Sequence, residues 1–314
     1  MARKRKGNPI HGWMVLDKPG GMTSTQAMAK CRWLLQAEKA GHGGTLDPIA
    51  TGILPIAFGE ATKTVPYVMD GAKTYRFVLK FGAATDTDDR AGQVIATHPY
   101  RPTDEEIEAA LPNFTGWISQ VPPRYSAIKV DGERAYDLAR EGEAVELSAR
   151  EVRVDSFLLT ERPEPDIAVF EVECGKGTYM RSLARDLAAA LGTLGHIHEL
   201  RRLRVGQFTL PASITLEELE RRVQVGDIGG LLLPIETALD QTLPLLSLTE
   251  DEAQRMRQGQ PVALLRRQDV ERLRAIESEL ADSQGTVLAM SGGRAVALAH
   301  VEGVEIRPVR VLNL

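Results

Sequence analysis

The chain has 314 residues, 43% of them hydrophobic and 26% charged, with a formal net charge of −5; that is an ordinary balance for one large folded domain plus a small one, or two of medium size. No apolar run approaches the roughly 20 residues of a membrane-spanning helix, and no apolar signal core follows the basic start Met1-Ala2-Arg3-Lys4-Arg5-Lys6. Two cysteines, Cys31 and Cys174, exclude a disulfide scaffold and point to a reducing, cytoplasmic setting.

In chain order, residues 13–16 (Trp-Met-Val-Leu) read as a short buried strand, ended by the turn residues Asp17-Lys18-Pro19-Gly20-Gly21. Thr23 or Ser24 then caps a helix whose apolar positions Ala27, Cys31, Leu34 and Leu35 recur at helical spacing. The 41–52 stretch is Gly-rich and aperiodic, so it is a loop. Tyr75, Phe77, Leu79 and Phe81 alternate with Arg76, Val78 and Lys80, which predicts a strand with one strongly apolar face. Thr103 before Asp104-Glu105-Glu106 starts a surface helix, because carboxylates favour the positive helix N-terminus.

Residues 121–150 differ in character. Pro122-Pro123 and the turn Asp131-Gly132 belong to a polar, Arg-rich excursion from the core. Residues 167–174 alternate again, with Phe170, Val172 and Cys174 on one side. Gly175-Lys176-Gly177 then connects to a helix with Met180, Leu183, Ala184, Leu187 and Leu191 on one stripe. Thr215 with Glu218 is a capping box. A boundary is expected near residues 240–247. Beyond it come a capped helix at Thr249 with Glu250-Asp251-Glu252, a charged helix-prone stretch at 268–283, and strands around 286–290, 295–300 and 309–312. Strands are bounded by turns more often than by crossover helices, which favours an α+β fold with a largely antiparallel sheet over a doubly wound one.

The run Gly41-His42-Gly43-Gly44-Thr45-Leu46-Asp47-Pro48 is the most suggestive for chemistry. Its glycines allow close approaches and unusual dihedrals. Pro48 biases Asp47 toward an extended conformation. A carboxylate at the tip of such a loop can reach into a groove. Spacing alone favours the plainer reading, an Asx-type turn in which Asp47 bonds its own backbone. The run is not a phosphate loop, since it lacks the Gly-Lys-Ser/Thr ending. His196 and His198 are the only close His pair, with no Cys or carboxylate at ligand spacing, so no metal is expected. No Gly-x-Ser-x-Gly elbow is present, and no cofactor is advertised. The net charge of −5 weighs against nucleic acid. Binding follows local charge, however, and Arg3-Lys4-Arg5-Lys6 and Arg201-Arg202-x-Arg204 are candidate clusters, the competing readings being a tail and a solvated face.

Five segments, taken together and in order, resemble the bacterial tRNA pseudouridine-55 synthase family (tRNA pseudouridine synthase B). They are Leu16-Asp17-Lys18-Pro19 with Gly21-Met22-Thr23-Ser24; Gly41 to Pro48 with Ala50-Thr51-Gly52 and Leu54-Pro55; Gly59-Glu60-Ala61-Thr62-Lys63; Pro123-x-Tyr125-Ser126-Ala127-x-Lys129; and Lys176-Gly177-Thr178-Tyr179-x-Arg181-Ser182-Leu183. The resemblance implies isomerisation of uridine in the T-stem-loop of tRNA, without cofactor or metal, by a monomer in the cytoplasm. By position in the motifs, Asp47 is the catalytic carboxylate and Arg181 keeps it ionised and oriented. The target base is flipped out. Tyr75 stacks on it, Tyr179 and Leu200 line the pocket, His42 holds the opened RNA loop, and Lys18 supports the site. Each has a plainer competitor: Tyr75 as core, Arg181 as helix surface, His42 as a satisfied loop histidine, Lys18 and Lys63 as contacts to phosphate or solvent.

The domain plan implied is a basic tail over 1–11, a catalytic domain over 12–240 with an RNA-gripping insertion at 121–150, and a small β-rich PUA-like module over 241–314. The sequence departs from many members at Gly43-Gly44-Thr45, where other small residues occur, and at 268–283, which looks like an insertion. No lysine follows Lys176, so RNA contacts there fall to arginine or polar groups. Two other functions compete: a guide-dependent RNA pseudouridine synthase that needs partner proteins, and a non-catalytic tRNA-folding or RNA-binding protein.

Overall fold

The computed structural model describes residues 7–126, 129–130, 133–134 and 147–314. The Arg3–Lys6 cluster and most of the 121–150 insertion lie outside the described residues. The chain divides into two units: Met1–Pro48, Gly52–Gly71 and Val205–Leu314 form the first, Ile49–Thr51 and Ala72–Arg204 the second.

In the first unit, strand Gly12–Lys18 pairs antiparallel with Thr51–Phe58, from Gly12 opposite Phe58 to Lys18 opposite Gly52. Both strands are nearly continuous apolar runs because both faces are buried. Side chains of a strand alternate between its faces, and two cores result. Met14, Leu16, Leu54 and Ile56 pack with Ala27 and Cys31 of the helix Ser24–Leu34 and with Leu216 and Leu219 of the helix Leu216–Gln224. Trp13, Val15, Ile53 and Ala57 pack with Leu239, Leu243, Leu288, Leu298 and Leu312. Trp13 also donates its indole N–H to the Thr64 hydroxyl at 3.2 Å, satisfying the polar end of a fully buried ring.

The C-terminal strands form a separate five-stranded sheet in the order Leu245–Ser247, Thr286–Ser291, Arg294–Glu302, Glu305–Val311, Val262–Ala263. It is antiparallel apart from the first pair, which is parallel. The charged 268–283 stretch folds as the helices Arg267–Ala275 and Glu277–Asp282. Arg272 anchors it, donating to Glu252 at 2.9 and 3.0 Å, to Asp269 at 2.6 Å and to the Ser247 carbonyl at 2.6 Å. Hydrogen bonding from Arg272, more than any other cause, holds the Glu252 carboxyl below its ordinary value of 4.5, and burial opposes it. A depressed carboxyl contributes stability above its ordinary range and loses it as pH falls through the folded value. Arg272→Met is therefore expected to cost about 1 kcal/mol at neutral pH. Thermal melts should show that difference shrinking below about pH 4; a difference independent of pH would contradict the pairing.

In the second unit, Lys73–Phe81, Ile167–Cys174, Arg150–Glu164 and Gly116–Gln120 are successive antiparallel neighbours, and Gly195–Val205 lies on the other side of Lys73–Phe81. The expected alternation of 75–81 is present, with Tyr75, Phe77, Leu79 and Phe81 all buried. Phe77, Phe157 and Phe170 make an aromatic cluster with ring centroids 5.2–5.9 Å apart. Gln120 and Arg150 are register partners, so the insertion leaves and re-enters the sheet at facing residues. The helix Met180–Ala190 buries Leu183, Ala184 and Leu187 as its stripe predicts. Helices and mainly antiparallel strands thus make the α+β architecture expected. No helix among the described residues is long and apolar enough to cross a membrane.

Candidate active site

The first unit carries Lys18, His42 and Asp47. Strand Ala40–His42 pairs with Thr51–Phe58, with His42 opposite Ile56. The chain leaves the sheet after His42, and the loop before Thr51 carries Asp47. The glycines are needed for packing. A Cβ at Gly43 would lie 3.0 Å from Val68 Cγ1 and 3.3 Å from Pro55, and Gly44 has φ +111°.

Asp47 is half-buried between two anchored neighbours. On one side Ser24, 1% exposed, accepts the Leu46 N–H at 2.8 Å and donates its hydroxyl to the Leu46 carbonyl at 3.1 Å. On the other, the Pro48 carbonyl accepts the Gly21 N–H at 2.8 Å and is 3.5 Å from the Lys18 ammonium. Lys18 is fully buried and also donates to the carbonyls of Pro19 at 2.8 Å and Met22 at 2.9 Å. Lys18 is thus a splint between the 17–22 turn and the Asp47 loop, with no surface exposed to solvent. The Thr23/Ser24 ambiguity also resolves. Thr23 caps the helix reciprocally with Gln26, which leaves Ser24 for Leu46.

The second unit carries Tyr75, Tyr179, Arg181 and Leu200. Tyr75 and Leu200 sit on neighbouring strands, 8% and 7% exposed. Tyr179 is the N-cap of the helix Met180–Ala190, and Arg181 lies in its first turn. Arg181 is buried, not on the helix surface. It donates to the Thr87 carbonyl at 3.1 Å and the Tyr125 carbonyl at 2.9 Å, and its Nε lies 3.9 Å from Asp89 Oδ2. A buried guanidinium needs such partners, since desolvating an unpaired charge costs several kcal/mol. Asp89 is fixed in turn, its Oδ1 accepting the Thr87 hydroxyl at 2.7 Å and the Ala91 N–H at 2.9 Å. Arg185 ties the same turn to the helix, 3.1 Å from Asp88.

Sequence reasoning missed Ser24 as an anchor, and it missed Asp89 and Gln120. The acidic run Asp86-Thr87-Asp88-Asp89 before Arg90 was the available signal for a cation-holding turn. The Arg201-Arg202-x-Arg204 cluster is largely committed internally. Arg202 is 1% exposed, Arg201 donates to the Thr51 hydroxyl at 3.3 Å, and Arg204 pairs with Glu173 and Thr74. His196 is a buried core histidine bonded to the Ala83 carbonyl at 2.9 Å. Among the described residues no cluster of His, Cys, Asp and Glu could hold a metal. Burial pushes the thiols of Cys31 and Cys174 up to about 12 and about 11, so neither is an ionised nucleophile near neutrality. The carboxylate-bearing loop in one unit and the buried arginine held against Asp89 in the other are chemically equipped features among the described residues.

Comparison with known proteins identifies the family of the chain. The model described as "TruB family pseudouridylate synthase (N terminal domain)" matches residues 32–180, and that described as "tRNA pseudouridylate synthase B C-terminal domain" matches residues 181–240. A tRNA pseudouridine synthase B of Caulobacter sp. (strain K31) is 52% identical over 314 residues, covering 100% of both chains. The protein of that name from Rhodospirillum rubrum is 51% identical over 315 residues, again covering 100% of both. Among solved structures, a chain in a crystal structure of a Cbf5–Nop10–Gar1 complex is similar with a TM-score of 0.71 at 26% identity, covering 96% of this chain and 84% of that one.

Proposed function

The chain belongs to the TruB family of pseudouridylate synthases, and we propose that its substrate is the uridine at position 55 in the T-loop of tRNA. The observation that carries this reading is the end-to-end match, at about half identity, to relatives named tRNA pseudouridine synthase B. In the reaction the C1′–N1 glycosidic bond breaks, the base turns, and C1′ bonds to C5. The C5 hydrogen leaves as a proton and N1 ends protonated, so the nucleotide keeps its composition.

Asp47 is the carboxylate that meets the nucleotide, as nucleophile or as base. Its loop is anchored at Leu46 by Ser24 and at Pro48 by Lys18 and Gly21, which supports a fixed placement of that carboxylate. Arg181 serves to orient Asp47. The uridine reaches the site by flipping out of the loop. Tyr75 then stacks on it, a contact typically worth about 1–3 kcal/mol, Tyr179 and Leu200 line the pocket, and His42 holds the opened RNA. The five-stranded C-terminal sheet supports a PUA-like RNA-binding module over 241–314. We place the enzyme in the cytoplasm, acting as a monomer.

The test is to incubate the purified chain with unmodified T-stem-loop RNA and map pseudouridine. Product is expected at uridine 55 with no other protein added. A requirement for added partner proteins or a guide RNA would favour the guide-dependent reading, and tight binding without product would favour a non-catalytic RNA-folding role.

A further inference from the structure

Gln120 ends the strand Gly116–Gln120 and is 2% exposed. A primary amide sealed in the interior must pair its oxygen and its nitrogen, because each buried polar group left unpaired costs about 1–3 kcal/mol. Gln120 pairs both with one residue. Its Oε1 accepts the Tyr179 N–H at 2.8 Å, and its Nε2 donates to the Tyr179 carbonyl at 3.2 Å. The amide orientation follows, since an N–H must face oxygen and a carbonyl must face the NH₂ group. The side chain thus gives Tyr179 the two bonds that a neighbouring strand gives a peptide group. Tyr179 is the N-cap of the helix Met180–Ala190, so holding its backbone holds the start of that helix. Its carbonyl also accepts the Leu183 N–H at 3.1 Å, so the cap is gripped from the helix and from the sheet at once.

We infer that Gln120 is a positioning residue for the reaction: its side-chain amide fixes the backbone of Tyr179, and through it the Tyr179 side chain and the first turn that bears Arg181. The inference rests on the reading of Tyr179 and Arg181 as pocket residues. Nearby bonds tie the same turn to the chain just after Gln120. Ser182 donates to the Val121 carbonyl at 2.8 Å, and Arg181 to the Tyr125 carbonyl at 2.9 Å. Those acceptors are backbone carbonyls that most residue types would supply. At 120 the side chain itself makes the bonds, so on the strand side of these contacts it is the identity of Gln120 that decides. Asparagine is a methylene too short to reach, and an ionised glutamate keeps the acceptor but cannot donate.

Gln120→Met keeps the length of the side chain and removes both bonds. With unmodified T-stem-loop RNA, its kcat is expected to fall by about tenfold to a hundredfold, as for a small misplacement of reacting groups, with KM unchanged. Gln120→Glu gives a second readout. A buried carboxyl titrates above its usual range, and when protonated it can again donate to the Tyr179 carbonyl. Its kcat should therefore rise toward acid relative to the parent, a limb that a merely structural role would not produce. Arg181→Lys, run alongside, should lose kcat in its own right. Parental kcat in Gln120→Met beside an impaired Arg181→Lys overturns the positioning role alone. Parental kcat in Arg181→Lys overturns the pocket reading on which it rests. A raised KM with intact kcat in Gln120→Met makes Gln120 a binding determinant and also overturns the inference. If Gln120→Met does not fold, the acid limb of Gln120→Glu decides, and its absence counts against positioning.

Discussion

Replacing Asp47 by asparagine is expected to abolish pseudouridine formation while leaving the fold and the RNA affinity in place. Asparagine has the size and shape of aspartate but neither charge nor basicity. Bonds that anchor the loop at Leu46 from Ser24 and at Pro48 from Gly21 and Lys18 survive the substitution. The amide oxygen of asparagine can also accept where a carboxylate oxygen does, so the loop should keep its course. Removing the group that reacts, with its surroundings intact, typically costs about four to six orders of magnitude in rate. Release of tritium from C5-labelled uridine in a stem-loop RNA measures the reaction directly, since C5 must give up its hydrogen. Binding of the same RNA reports the rest. A variant within about tenfold of the parental rate would remove Asp47 from the chemistry.

Lys18→Met should damage both the stability and the rate while leaving the chemistry of Asp47 untouched. Methionine follows the lysine stem and fills most of its space. The carbonyls of Pro19, Met22 and Pro48 would lose their ammonium donor in a fully buried slot. Relief from burying a charge offsets part of that loss, and a net cost of about 3 kcal/mol is expected. The melting temperature should fall. At a temperature where the variant remains folded, kcat should fall as well, because one anchor of the Asp47 loop has gone. KM should hold, since a side chain with no exposed surface cannot be a phosphate contact. Denaturant melts and single-turnover rates check the two halves separately. Parental stability would refute the splint, and a raised KM with normal kcat would restore the phosphate contact.

Much of this was legible because local physics carried it. The alternation over 75–81 had one face to bury, and Thr23, Thr103, Thr215 and Thr249 each announce a helix with a glutamine or glutamate where its first turn needs one. The strand Arg150–Glu164 was not legible. Most of its residues are exposed, its register with Ile167–Cys174 slips repeatedly, and it holds Arg162 and Pro163 where a regular strand would alternate. Partnerships distant in sequence were also hidden. A lysine in a turn reads as solvated, and only the folded chain brings Pro48 to Lys18. Gln120 reads as an ordinary polar residue at a strand end, and its partner Tyr179 is far along the chain. Asp47 stands between these cases. Its identity came from a motif, whereas the reason its position is fixed lies in Ser24 and Lys18, whose long-range bonds no spacing rule encodes.

The facing pair Gln120 and Arg150 fixes both ends of the insertion in the sheet. The register there is set by the two strands themselves, from Gly116 opposite Val154 to Gln120 opposite Arg150. The stem after Gln120 is held as well, because the Val121 and Tyr125 carbonyls accept from Ser182, Arg185 and Arg181. For engineering, any exchange of the insertion must therefore carry the short stem from Gln120 to Tyr125 over unchanged.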